Sequence, residues 1–157
     1  MRKPNALIFV AWALHLVAWF LPVVKANDVH PVLRGWQAFR YASCGVLPCE
    51  GIEFQTLHHA VLATISVLTT LFFILGSLWL LLHGLRSLRR PFAWAAAAAF
   101  AFNTHWIVIF GSERPALTIG YFLWLSSFLC LALGLFLSRD EVRKEAPTTV
   151  AHTRGAV

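Results

Sequence analysis

Acidic side chains are scarce in this chain, and they are missing where it is most apolar. Only seven Asp and Glu residues occur among 157. None of them, and no Lys or Arg, falls within residues 6–24, 57–85, 92–111 or 117–138. A pump or antiporter driven by carboxylates needs such a group at membrane depth, so the composition argues against one. Charged residues of both signs reach only 13%, about half the share usual in soluble domains. A water-soluble fold would have too little polar surface to cover so apolar an interior. Motifs of soluble catalysis are also lacking: there is no Gly-rich phosphate loop, no nucleophile elbow and no zinc-type Cys/His cluster. No catalytic residue and no metal site is assigned, and no soluble catalytic domain fits into the remaining length.

What the chain does have is hydrophobic length. Apolar residues make up 59% of it, gathered in the four blocks named above. About 20 apolar residues in a helix cross the hydrocarbon layer of a bilayer, and each block reaches or nears that length. Only helices or closed barrels keep backbone groups satisfied in lipid, so the blocks read as helices. The expected fold is an all-α membrane protein, a four-transmembrane-helix bundle forming one domain over 1–157. Residues 25–56 make an outer loop and residues 139–157 a cytoplasmic tail. Small residues supply close packing between helices in lipid. The run Ala95 to Ala99, with Ala101, predicts close approach of the third span to a neighbour through pairs such as Ala95 with Ala99 and Ala97 with Ala101.

The basic residues sort by side. Residues before the first span, between the second and third, and after the fourth hold nine Lys and Arg against three acids. The segments on the other side hold four of each. Positive charge favours the cytoplasmic side, so both termini are expected inside a multi-pass inner-membrane protein. Ala-, Leu- and Arg-rich usage with compact loops suggests a bacterial one. The basic balance does not point to nucleic acid, because it lies in short segments bordering spans, where it meets lipid headgroups. Met1 to Asn5 with the following block also resembles a secretory signal, with small residues around Val24-Lys25-Ala26. The apolar run exceeds the usual 7–15 residues of such a signal and carries two Trp and a His, which favours a retained anchor.

In the outer loop, Val32, Leu33, Trp36 and Phe39 recur at helical spacing after Pro31. This predicts a short interfacial amphipathic helix, anchored by Trp36 and Phe39 and weakened by Gly35. Cys44 and Cys49 follow, in Cys-Gly-Val-Leu-Pro-Cys, on the oxidising side with turn-forming residues between them, so a local disulfide is expected. Cys130 lies inside the fourth block as a buried thiol. In topology alone the layout is similar to quinone-linked bacterial disulfide-forming membrane proteins. Their second cysteine pair has no counterpart in residues 112–116, so the resemblance implies no complete electron relay here. Trp36, Cys44 and Cys49 are loosely similar to the first loop of claudin-like proteins, but the Gly-Leu-Trp signature is absent and no residue is carried over.

Inside the blocks, His15, Asn103, Thr104 and His105 form a candidate intramembrane polar site. Counting from the inner ends places the two histidines at nearly the same depth, where they could meet between helices. Three uses compete: hydrogen bonds that hold the bundle together, a polar path, or a b-type haem with His15 and His105 as axial ligands. The first needs no cofactor and is the expected one. The resulting expectation is a non-catalytic accessory or interaction subunit whose partners are lipid and other membrane proteins or itself. A membrane redox protein is the alternative, and a small transporter or channel component comes third.

Overall fold

The computed structural model describes residues 3–25, 32–47, 49, 56–83, 88–110 and 116–144. In chain order these form α1 (Lys3–Phe20), β1 (Pro22–Val24), β2 (Leu33–Arg34), α2 (Gly35–Ser43) and α3 (Leu57–Leu71). A π-helical turn (Phe72–Gly76) leads into α4 (Ser77–His83), followed by α5 (Arg89–Asn103), α6 (His105–Ile109) and α7 (Ile119–Lys144). Leu57–Leu80, Arg89–Ile109 and Ile119–Ser138 are each long and apolar enough to cross a membrane, whereas Ala6–Phe20 is apolar but shorter. The tail from 145 onward and residues 26–31 lie outside the described residues.

The first block is thus not helical to its end. Proline disfavours helical geometry in the residue before it, and α1 stops at Phe20, two residues short of Pro22. From there the chain is extended. Its backbone groups are taken up by three neighbours. Gly35 donates its N–H to the Leu21 carbonyl (3.1 Å), Thr118 donates to Val23 (3.1 Å) and Lys25 donates to Ala116 (2.7 Å). The Thr118 hydroxyl also donates to the Pro22 carbonyl. β1 pairs antiparallel with β2, Pro22 opposite Arg34 and Val24 opposite Leu33.

The interfacial helix of the loop therefore begins later than its hydrophobic spacing suggested. Leu33 and Arg34 are strand, and α2 starts at Gly35, with the Gln37 side chain accepting the Arg34 N–H at 2.9 Å. Pro31 lies outside the described residues. Gly35 has a positive role here: a Cβ at that position would sit 2.3 Å from the Ala18 carbonyl oxygen. Gly120, at the start of α7, is equally constrained, since its Cβ would sit 2.3 Å from the Pro22 oxygen. Two glycines on opposite sides thus let α2 and α7 close onto the residues that end α1.

Contacts along the helices fix their directions. Gly134 of α7 faces Leu7 and Ile8, His15 bonds Ser127, and Gly120 meets Pro22, so α1 and α7 run antiparallel. Trp94 packs on Phe136 and Tyr121 bonds the Asn103 backbone, so α5 is antiparallel to α7 as well. Phe72 stacks on Phe92 while Ser66 bonds Asn103, which sets α3 antiparallel to α5. α7 is the central element, with α1 and α5 along its length. The main core joins Ile8 and Ala11 of α1, Phe73 of the π-turn, Ala93, Ala96 and Ala99 of α5, and Phe128, Leu131 and Leu135 of α7.

α5 approaches its neighbour through alanines; of the expected pairs Ala99 is buried, Ala95 and Ala97 are half-buried and Ala101 is exposed. Ala93, Ala96 and Ala99 are buried, with Asn103 continuing the stripe, while Ala98 and Ala101 are exposed. Spacing of three to four residues selects that face. Added bulk on a packed face costs about 1–3 kcal/mol, against about 0.5 kcal/mol or less at an exposed one. Ala96→Leu should lower unfolding stability in detergent by that larger amount and Ala98→Leu should leave it nearly unchanged. Equal effects from the two would contradict the packing.

Candidate functional site

The bundle interior holds two polar groups, one layer apart. The first is centred on Asn103, which is fully buried at the end of α5. Its Nδ2 donates to the Ala99 carbonyl (2.8 Å) and to Thr69 Oγ1 (2.9 Å). A carbonyl only accepts, so this contact settles which way the amide points. Its Oδ1 then accepts from Ser66 Oγ at 2.8 Å, and Ser66 Oγ in turn accepts from Trp106 Nε1 at 3.0 Å. Thr69 and Thr70 both donate to the Ser66 carbonyl, a back-bond to the preceding turn that hydroxyls make readily in apolar helices.

The same residue marks a break in the helix. Between α5 and α6 the Ile107 N–H reaches Thr104, three residues back. The Asn103 carbonyl accepts from the buried Tyr121 hydroxyl of α7 at 2.7 Å. An unpaired backbone group among apolar side chains costs free energy on the scale of a lost hydrogen bond, and Tyr121 prevents that loss. Asn103 therefore links α3, α5 and α7. Thr104 and His105 do not join it. Thr104 Oγ1 donates to the Ala101 carbonyl (2.5 Å), and His105 Nδ1 bonds the Phe102 carbonyl (2.6 Å), each three residues back along the same Arg89–Ile109 segment.

The second group is centred on His15, which is 2% exposed. Its Nδ1 lies 3.0 Å from Ser127 Oγ. Its ring lies flat on Phe73 at 4.1 Å and 8°, and edge-on to Phe128 at 6.0 Å. Phe73 belongs to the π-helical turn, whose wider winding presents this ring to α1. Such turns recur at functional positions in helices. Close passage of the Phe92 ring over Gly76, where a Cβ would be 2.5 Å from Cε1, accompanies the turn. Trp12 completes the group, its ring 5.6 Å from Phe73.

Of the four residues expected to form one polar site, the structure places His15 and Asn103 in different layers. Their partners on α7, Ser127 and Tyr121, are six residues apart, about 9 Å along the axis at 1.5 Å per residue. His15 and His105 are not each other's partners. The Nε2 atom of each is closed off within the protein. The axial pairing of a haem needs two histidine nitrogens facing a common open space, so these residues do not fit a bis-histidine haem. Among the described residues, no group of three His, Cys, Asp or Glu is arranged to hold a metal ion. Ser66, Thr69, Trp106, Tyr121, Trp12 and Phe73 were not legible as members of these groups. Each is an ordinary span residue by composition, and only the helix pairing brings it to its partner.

At the α2 end, Cys44 and Cys49 are joined by a disulfide, and Cys130 is a free thiol. Gly45, inside the closed loop, lies against the Ala60 carbonyl and the Thr64 hydroxyl, which ties the loop to the start of α3. Phe39 packs on Trp19 of α1 at 5.5 Å, whereas Trp36 is 42% exposed. Of the two expected anchors, Phe39 thus faces the bundle and Trp36 faces outward. No protein family, curated protein or solved structure matches the chain.

Asn103→Ala removes bonds to two helices and should lower unfolding stability by about 1–3 kcal/mol. Tyr121→Phe should cost about 1 kcal/mol or less, and Thr104→Ala, whose hydroxyl serves only its own segment, close to nothing. A Thr104→Ala loss as large as that of Asn103→Ala would contradict the assignment. For the disulfide, alkylation of denatured protein without reductant should add one label, at Cys130, and reduction should raise this to three. Three labels before reduction would rule the bond out.

Proposed function

We propose that this chain crosses a bacterial inner membrane four times, with both ends cytoplasmic, and serves as a non-catalytic accessory or interaction subunit. The observation that carries the functional half is the use of its interior polar groups. Asn103, Ser66, Thr69, Trp106 and Tyr121 spend their hydrogen bonds on joining α3, the α5–α6 segment and α7, and His15 joins α1 to α7 through Ser127. That is the chemistry of a bundle held in register rather than of a group poised to react.

Support for four crossings comes from α1. It is shorter than the other three candidates: its apolar part, Ala6–Phe20, rises about 22 Å at 1.5 Å per residue, short of the roughly 30 Å of hydrocarbon. The extended Leu21–Val24 segment adds reach. Ala11, His15 and Ala18 are buried in the bundle, which favours α1 as a kept anchor over a removed signal. A second reading has one observation in its favour: the Cys44–Cys49 disulfide sits in the outer loop with Cys49 partly exposed, where thiol exchange with a partner is feasible.

Compartment reporters fused at the two ends should both report the cytoplasm. In mild detergent the protein should migrate in a complex of fixed stoichiometry with another membrane protein or with itself. Opposite compartments for the two ends would overturn the topology. A lone monomer that forms mixed disulfides with periplasmic thiol proteins would favour the redox reading instead.

A further inference from the structure

We propose that the disulfide-closed turn at the end of α2 is a lipid-binding tip, with Val46 and Leu47 set into the outer leaflet of the bilayer beside α3. This contact presupposes the membrane-spanning reading above, and it is distinct from the expected anchors Trp36 and Phe39. A helix lying above the bundle would touch only the ends of the spans. α2 touches their flanks. At its start, Gly35 lies against the Ala18 carbonyl and Trp19 of α1. Midway, Ala38 packs on the cluster of Val23, Leu117, Tyr121 and Leu125. Just past its end, Gly45 lies against the Ala60 carbonyl and the Thr64 hydroxyl. Those two residues fall inside the Leu57–Leu80 span, so the turn runs alongside α3 about 5–10 Å below its first residue at 1.5 Å per residue. Interfacial helices bury their apolar faces to about that depth.

The outward side of the same element has the composition of a lipid contact. Backbone bonds carry the helical winding past Ser43. The N–H groups of Cys44, Gly45 and Val46 each reach three residues back, and that of Leu47 reaches the Ser43 carbonyl at 3.0 Å. Leu47 thus continues the face of Trp36, Arg40 and Ser43, at spacings of three and four residues. Val46 and Leu47 are 55% and 68% exposed, although Cys44 beside them is buried. The Cys44–Cys49 bond closes the chain around the pair, and the Gly45 contact holds the turn to α3. Trp36, Arg40 and Tyr41 are exposed on the same helix. Aromatic rings favour the headgroup level, and the long stem of Arg40 lets its charge reach lipid phosphate. No Asp or Glu occurs from Val32 to Leu47, so the surface carries only the charge opposite to that phosphate. A partner arriving from water would need the tip to stand clear of the bundle, and the Gly45 contact sets it lower.

The test is photocrosslinking of the full chain in vesicles of phosphatidylethanolamine and phosphatidylglycerol. One variant carries benzoylphenylalanine in place of Leu47, and a second carries it in place of Leu133, an exposed residue midway along α7. Irradiation should raise the mass of both variants by one phospholipid, with the new bond on an acyl chain. The same replacement at Val46 gives an independent reading of the tip and should do likewise. An acyl-chain adduct at position 133 with none at 46 or 47 would overturn the tip and leave the spans standing. So would adducts at 46 and 47 confined to the headgroup, or two chains joined through those positions. Lipid adducts at none of the three positions would overturn the membrane reading, and the tip with it.

Discussion

On the proposed reading the helices lie in an apolar surrounding that offers no water to a polar group, and this one constraint organises the chain. Every N–H and C=O within its hydrophobic stretches has to find a partner in the protein. Helices answer it for most of the backbone. Where helix geometry fails, the structure supplies a specific replacement. Pro22 ends α1, and the exposed groups of Leu21 to Lys25 go to Gly35, Thr118 and Ala116. The turn at Thr104 frees the Asn103 carbonyl, and Tyr121 takes it. Hydroxyls of Thr64, Thr70 and Ser138 fold back onto carbonyls of their own helices.

Close approach does the rest of the holding. On the same reading the hydrophobic effect has little leverage between helices in lipid, and packing with a few polar links replaces it. α7 acts as the spine, with Gly120, Gly134, Ser127 and Ala132 admitting α1 and α5. The two glycines at the α2 end, Gly35 and Gly120, are required by backbone passing within a Cβ's reach. Large side chains appear where gaps remain, chiefly Phe73 and Phe128, which meet edge to face at 5.3 Å.

Much of the architecture was legible because it depends on composition over long windows. Charge-free runs marked the helices, and the Cys44–Cys49 spacing marked the disulfide. The alanine run correctly announced a close helix contact, although the buried stripe turned out to be Ala93, Ala96 and Ala99. Local interruptions were harder. The extension at Leu21–Val24 was hidden by its own hydrophobicity, and the π-helical turn has no compositional signature. Leu33 and Arg34 carry helical spacing yet form a strand, because pairing with Pro22–Val24 outweighs a weak local preference. The polar sites were half legible. His15 and Asn103 stand out as rare residues in apolar runs, but which hydroxyls meet them depends on helix pairing and on an axial offset that residue counting does not resolve.

On the proposed reading the protein is a compact membrane bundle whose interior chemistry is spent on its own cohesion, leaving its surface for lipid and partners. Immersion of the helices in a bilayer underlies that reading, and an alkaline carbonate wash of isolated membranes tests it most directly. The account expects the chain to stay entirely with the membrane pellet, as proteins with several spans do. Release into the supernatant, as for a protein held only at the surface, would contradict it.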